Sequence, residues 1–467
     1  MHLKQLALIM LLVVSLGCGN MPRVIGFGTP TPTATFTPQP TATATSTPTE
    51  TPLPPPAFVP AACTGIAAAT IPPATTIAQP TSSLATNPEL TTTQQLAVFD
   101  QLTTDIKQYY LYPDFNRQDW KAVAAEVRGK VEAGMDTETF YKEMDDYIVR
   151  LGDEHSDFES PVDVAQSEAE LKGTNNYVGI GILTLPLIEK ERTTVLAVLP
   201  GSSAEQAGLQ PHDSILAVDG IPVIEDGEVY VSRVRGPECS ALVLTVQSPG
   251  EAPRQVSLFR YHITASIPIY THLVNTADGS RIGYILLPTF FDETIPGQVR
   301  DALEAFGPLD GLILDNRVNG GGSSIVLEPI LSYFTSGRVG NFVSRSRTRP
   351  LEIAADPVGD SQTVPLVVLV GNDTISFGEI FAGILQDIGR AKVVGETTQG
   401  NVETLNAFDL QDGSRVWLAA ERFDPPVSHA DWEQQGIIPD VQAYADWDTV
   451  TFENDPSVAA AVKLLGH

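Results

Sequence analysis

The segment GNDTISFGEIFAG, Gly371 to Gly383, places a serine, Ser376, between a hydrophobic run, PLVVLV, and a helix-like stretch. A serine on a strand-to-helix turn is exposed at the top of a sheet, beside helix N–H groups that stabilise developing negative charge. That makes Ser376 a candidate nucleophile. The plainer role is a helix cap, which Thr374 could fill instead. A hydroxyl is a weak nucleophile without a base, and no histidine or lysine stands close in sequence. A second segment, GLILDNRVNGGGSS from Gly311 to Ser324, ends an apolar run in three consecutive glycines. Glycines there let backbone N–H groups turn toward a substrate, as half of an oxyanion hole does. No Gly-Lys-Ser/Thr follows, so a phosphate-binding P-loop is excluded.

These segments lie in a stretch where strand-like and helix-like runs alternate. GYILLPTF, DGLILDNR, PLVVLVG and AKVVGETT read as buried strands, and VRDALEAFG, SIVLEPILSYF and GEIFAGILQDIG as helices. The alternation predicts an α/β domain over residues 266–467. Upstream, residues 91–174 carry three amphipathic helical patterns and form an N-terminal helical unit ending in LGDEHSDFESP. Residues 175–265 are strand-rich. Within them, LPGSSAEQAGLQPHDSILAVDGIPV runs strand, turn, short helix, glycine stop, strand and an Asp219-Gly220 hairpin. This pattern resembles a PDZ domain. The resemblance implies a groove that takes a peptide C-terminus by strand addition. Val178, Gly179, Ile180 and Gly181 would then form the loop that holds the carboxylate.

The motifs also have an order. A PDZ-like segment precedes D-x-R-x-N-G-G-G, then T-x-S-x-G-E, then Q-D-x-G-R-A-x-V-V-G-E-T-T-x-G, then G-I-x-P-D at Gly436 to Asp440. In this combination the chain resembles the C-terminal processing peptidases and their tricorn-core relatives, from about Thr91 to the end. The resemblance implies an α/β protease core with a ClpP/crotonase-like spiral, an inserted PDZ domain and an N-terminal helical unit. It implies a serine endopeptidase acting through an acyl-enzyme on unstructured or C-terminal segments of proteins. The nucleophile falls on Ser376. The oxyanion donors fall on the glycine turn, Gly320 or Gly321, and on the N–H of Phe377.

One departure decides between branches. Where the Ser-Lys branch carries its general-base lysine, this chain has Asn401, which cannot accept the serine proton. Lys392 and Lys463 are the only later lysines, and Lys392 lies inside a strand in the wrong register. The tricorn-like branch instead pairs the serine with a histidine from the segment before the PDZ-like domain. It orients that histidine with a glutamate near the G-I-x-P-D motif. The matching residues are His155 in LGDEHSDF and Glu433 in DWEQQGIIPD. A Ser376–His155–Glu433 triad follows from the resemblance, with His155 as base and Glu433 as orienter. His429 is the rival base, and Asp431 and Glu421 are rival orienters. Asp387 and Arg390 are expected to be structural.

The first residues bear on compartment. Leu6 to Gly17 is a short apolar core after a weakly basic start, too short to span a bilayer, and reads as a secretory signal. It ends in Ser15-Leu16-Gly17-Cys18, which resembles a bacterial lipobox with Cys18 as the lipidated residue. Residues 1–18 are thus a signal peptide with a lipobox-like end. Residues 19–90 follow as a Thr/Pro-rich, extended stalk. The expected location is extracytoplasmic, on a membrane through a lipid anchor at Cys18, or otherwise secreted. Cys63 and Cys239 could pair there, or Cys63 could remain a free thiol.

The chain has 467 residues, a formal net charge of -29 and a pI near 4.4. Such acidity repels phosphate backbones and argues against nucleic acid as a partner, while protein or peptide substrates are what the resemblance implies. No His/Cys group has metal-ligand spacing, so neither a metal nor another cofactor is expected. The missing lysine also keeps open a second class, a catalytically inactive peptide- or ligand-binding lipoprotein that keeps the protease fold.

Overall fold

The structure is a computed structural model. It describes Cys63 and residues 87–467, apart from 154, 172–176, 226, 231–232 and 264–265. The expected signal peptide, Cys18 and almost all of the expected stalk lie outside the described residues. Among the described residues, no helix is long and apolar enough to cross a membrane.

Three helices open the described chain: Thr92–Tyr109, Trp120–Glu132 and Thr137–Val149. Each is started by an N-cap side chain, from Thr91, Asp119 and Asp136 in turn. Their apolar faces meet in one cluster that includes Phe99, Ile106, Trp120, Val127, Phe140 and Met144. That cluster also contains Phe158, Val416, Leu418 and Ala419, so the helical unit shares its core with distant strands. The link is a short strand, Asp157–Glu159, which pairs antiparallel with Arg415–Asp424, Phe158 opposite Val416. This pairing carries His155, two residues upstream, into the second half of the chain. The Ala419 N–H donates to Ser156 Oγ at 3.0 Å and locks the junction.

The strand-rich middle forms a separate sheet, in the order Arg254–Phe259, Ala241–Gln247, Ser214–Val218, Arg192–Val198 and Ile182–Leu187. Ile182–Leu187 is therefore an edge strand. The Asp219-Gly220 turn closes the expected hairpin with both residues at positive φ. Cys63 and Cys239 form a disulfide.

The remaining chain builds a sheet of strands Tyr270–Asn275, Arg281–Leu286, Gly311–Asp315, Leu366–Val370, Lys392–Gly395 and Val441–Gln442. All neighbouring pairs are parallel except the first. Gly311–Asp315 and Leu366–Val370 are buried throughout, as strands covered on both faces must be. Helices Ile295–Phe306, Ser324–Phe334 and Phe377–Asp387 join one large apolar cluster against this sheet. Trp447 ties the sheet to the strand-rich middle. Its indole N–H donates to the Val195 carbonyl at 3.2 Å, and its own carbonyl lies 2.7 Å from His212 Nδ1.

Candidate active site

Two parallel strands that are neighbours in the sheet, Gly311–Asp315 and Leu366–Val370, end side by side. Ligands bind at such carboxyl ends in open α/β sheets. The loops beyond them are stitched together. Thr374 Oγ1 donates to the Asn316 carbonyl at 2.8 Å and accepts the Gly371 N–H at 2.9 Å. The Ile375 N–H donates to the Asn319 carbonyl at 3.0 Å, and Asn316 Nδ2 to the Gly378 carbonyl at 2.8 Å. Thr374 is thus a loop clasp rather than the helix cap.

Ser376 sits at the head of helix Phe377–Asp387 with φ 56° and ψ -124°. A non-glycine residue at positive φ stores about 1–3 kcal/mol, retained only where the surroundings enforce it. Here they do. The Ser376 N–H donates to the Asn401 carbonyl at 2.8 Å and also reaches Glu379 Oε2 at 3.2 Å. Glu379 is fully buried and gathers further donors: the Thr398 hydroxyl, the Gly400 N–H at 2.9 Å and the Asn401 N–H at 2.8 Å. Burial pushes its carboxyl up to about 7, against the lowering effect of those bonds.

The glycine turn packs directly on the serine. A Cβ at Gly321 would stand 2.8 Å from Ser376 Cβ and 3.1 Å from the Phe377 nitrogen. At Gly322 it would overlap the Phe290 backbone. The Phe290 N–H donates to the Gly321 carbonyl at 2.7 Å and fixes the turn from behind. Of the two glycines named for the oxyanion hole, Gly321 donates its N–H to Asn319 Oδ1 at 2.9 Å. That arrangement favours Gly320, together with Phe377 at the first helical position, where an N–H lacks an intrahelical partner.

His155 is buried, 9 % exposed, and its Nε2 lies 3.2 Å from Glu433 Oε1. The structure thus brings these two expected residues together across the fold. The other Glu433 oxygen accepts the Val402 N–H at 2.9 Å. Among the described residues, no hydrogen bond joins His155 to Ser376. A further carboxylate, not foreseen from sequence, faces the same nitrogen. Glu403 Oε2 lies 3.6 Å from His155 Nε2, and Glu403 Oε1 accepts the Tyr112 hydroxyl. Burial disfavours the charged imidazole, but Glu433 and Glu403 outweigh it and hold His155 above its ordinary value. Burial pushes Glu403 up to about 7; His155 opposes the rise and Glu433 adds to it. The one sequence cue to Glu403 was its position two residues after Asn401.

His429 and Glu421 are engaged elsewhere. His429 is exposed and pairs with Asp424 at 3.0 Å. Glu421 is buried against Arg349 at 3.0 Å. Asp431 precedes helix Trp432–Gln435 without a side-chain cap bond. Lys392 is exposed and pairs with Asp440 at 2.7 Å. Asp387 accepts the N–H groups of Val427 and Ser428, and Arg390 donates to the carbonyls of Phe334 and Ser361.

In the PDZ-like sheet region, Tyr177–Gly179 pairs with Tyr261–Ile263. The carbonyls of Ile180 and Gly181 accept the N–H groups of Ala204 and Leu199. Gly181 has φ +79°, and a Cβ there would meet Ser202. Val178 and Gly179 of the expected loop are thus strand residues, and only Ile180 and Gly181 link that strand to the edge strand Ile182–Leu187.

Residues 281–443 match the model of peptidase family S41, and residues 194–248 match the PDZ domain. The chain is 32% identical over 380 residues to a carboxyl-terminal-processing protease of Synechocystis sp., covering 77% of this chain and 84% of the relative. It is 31% identical to the protein of that name from Picosynechococcus sp., covering 77% and 86%. Among solved structures, a photosystem II D1 C-terminal processing protease aligns with a TM-score of 0.53 and 25% identity, over 80% of this chain and 98% of that one. An S41-type core with a PDZ domain, read first from motif order, accounts for all of these likenesses. The chain belongs to the S41 peptidases, the serine-type carboxyl-terminal-processing proteases.

Proposed function

We propose that this chain is an extracytoplasmic serine endopeptidase, held at a membrane by a lipid on Cys18, that cleaves unstructured or C-terminal segments of proteins. Ser376 is the nucleophile, His155 the general base and Glu433 its orienter. The glycine turn, through Gly320 or Gly321, and the Phe377 N–H hold the oxyanion. The PDZ loop of Val178 to Gly181 captures the substrate's carboxylate, and the adjoining edge strand pairs with its backbone.

The carrying observation is the buried contact of His155 Nε2 with Glu433 at 3.2 Å, in a chain that has Asn401 where the dyad lysine would stand. With Nε2 facing Glu433, Nδ1 is the nitrogen left to take the serine proton. Substrate binding must then bring Ser376 and His155 into bonding distance, as catalytic contacts often tighten only in the substrate complex. The base passes its proton to the leaving amine, and water cleaves the acyl-enzyme.

The test is cleavage of an unfolded protein by the full chain, beside Ser376→Ala and His155→Ala. The expected result is activity that both substitutions reduce by at least ~10³-fold. Retained activity in His155→Ala would remove the triad. Wild-type inactivity on many substrates, with no labelling of Ser376 by a serine-directed inhibitor, would favour a binding protein.

A further inference from the structure

We propose that His155, Glu403 and Glu433 form a binding site for a zinc-class divalent metal ion, and that the ion switches the peptidase off by capturing its base. The metal site stands on geometry alone, whereas the switch rests on the reading of His155 as base.

The donor atoms of the three residues all lie within 4.8 Å of one another. His155 Nε2 is 3.2 Å from Glu433 Oε1 and 3.6 Å from Glu403 Oε2. Two ligands of a tetrahedral zinc ion, each about 2.0–2.2 Å from it, are separated by roughly 3.4 Å. The observed distances bracket that value.

The outer partners match as well. Each carboxylate turns one oxygen toward Nε2 and has the other fixed from behind, Glu433 by the Val402 N–H and Glu403 by the Tyr112 hydroxyl. Metal ligands are commonly held in this way. The independent observation is Glu403 Oε2. The residue is only 4 % exposed, and this oxygen has no hydrogen-bond partner although it faces the imidazole. Buried carboxylate oxygens without a donor are costly, and a cation satisfies them.

One imidazole and two carboxylates suit zinc, with a fourth position left for water. Magnesium and calcium need six or more oxygen ligands, so this set suits them poorly. Spacing in the sequence gave no hint, because a helical unit, a strand lead-in and a late helix supply one ligand each.

The experiment titrates Zn²⁺ into the chelator-treated full chain by calorimetry, with Co²⁺ absorption as a second probe of coordination. We expect one ion per chain and an intensified visible Co²⁺ band of four-coordinate type. Glu403→Gln should weaken binding at least ~10-fold, and Tyr112→Phe, which spares every ligand, about 10-fold. His429→Ala, at the exposed His–Asp pair, should change nothing. Absence of saturable binding overturns the site. So does binding that survives Glu403→Gln and Tyr112→Phe but is lost in His429→Ala. In the cleavage assay, activity should fall in proportion to Zn²⁺ occupancy and return with chelator. Full activity at full occupancy overturns the switch. A chain that binds the ion but cleaves nothing even when metal-free would instead overturn the peptidase reading and leave the metal site standing.

Discussion

The carbonyl of Asn401 accepts the N–H of Ser376 at 2.8 Å, so the residue at the dyad-lysine position touches the serine through its backbone. Its own N–H, at 2.8 Å, donates to Glu379 Oε2, which the Ser376 N–H also reaches. Glu379 is therefore the clasp that joins the serine turn to the Gly400-Asn401 loop. In Glu379→Gln an amide NH₂ must face N–H donors on one side. Stability should fall by about 1–3 kcal/mol, and kcat should fall with it as Ser376 loses its enforced geometry. Urea unfolding and the peptidase assay check this together, and wild-type values in both would refute the clasp.

The same group predicts a pH effect. Burial raises Glu379 to about 7 from an ordinary value of 4.5. The folded state then binds this proton more tightly than the unfolded state, so its contribution to stability declines as pH rises from about 4.5 to about 7 and is level above that. Glu379→Gln lacks this titration. The stability gap between wild type and variant should narrow between pH 5 and pH 7.5, by on the order of 1 kcal/mol or more. Urea midpoints at several pH values measure it, and a gap that widens with pH would count against the assignment.

Gly321→Ala tests how closely the turn must approach the serine. Gly321 has φ +89°, and its Cβ would stand 2.8 Å from Ser376 Cβ and 3.0 Å from the Ile375 carbonyl oxygen. Gly413 has φ +92° but open space, with only Pro161 Cβ at 3.8 Å. Both alanines should cost about 1–3 kcal/mol through backbone strain. Only Gly321→Ala should cut kcat, by about 10²-fold or more. Equal activities in the two variants would show that close approach at Gly321 does not matter.

Glu433→Gln keeps the shape of the proposed orienter and removes its charge. Loss of the group that holds and stabilises an imidazolium should lower kcat by about 10²–10⁴-fold with little change in KM. Asp431→Asn should leave kcat near wild type. The reverse pattern would move the orienting role to Asp431.

How much of this was legible follows from what is local. Leu366–Val370 is a continuous apolar run and Phe377–Asp387 a helical pattern, so the turn that carries Ser376 could be read directly. The glycine turn was equally plain, because only glycine tolerates the approach at Gly321 and Gly322. The pairing of Asp157–Glu159 with Arg415–Asp424 was not legible, since two strands so far apart leave no periodic trace. On the same long strand, the Ala419 carbonyl accepts the Leu111 N–H at 2.8 Å, next to Tyr112, whose hydroxyl reaches the buried Glu403. In an acidic chain one more glutamate reads as surface until the packing is known. The role of Gly321 shows the same limit, because Asn319 takes up its N–H through a contact that residue type alone does not announce.

The Cys63–Cys239 disulfide closes a loop spanning a sequence separation of 176 and attaches the region before the helical unit to the PDZ-like domain. Cys63 is buried, 1 % exposed, and the Cys239 N–H donates to the Arg260 carbonyl at 2.8 Å, one residue before the strand that pairs with Tyr177–Gly179. Loop-closure entropy puts the stabilisation of so long a loop at about 5 kcal/mol, and native disulfides commonly deliver about 2–4. Cys239→Ser should therefore lower the urea midpoint of the PDZ-like domain, followed by a probe in that domain. Reductant should shift wild type to the same midpoint and leave the variant unmoved. A reductant effect that persists in Cys239→Ser would trace to something other than this bond. An unchanged midpoint in both would mean that the unfolded chain gains little freedom when the loop opens.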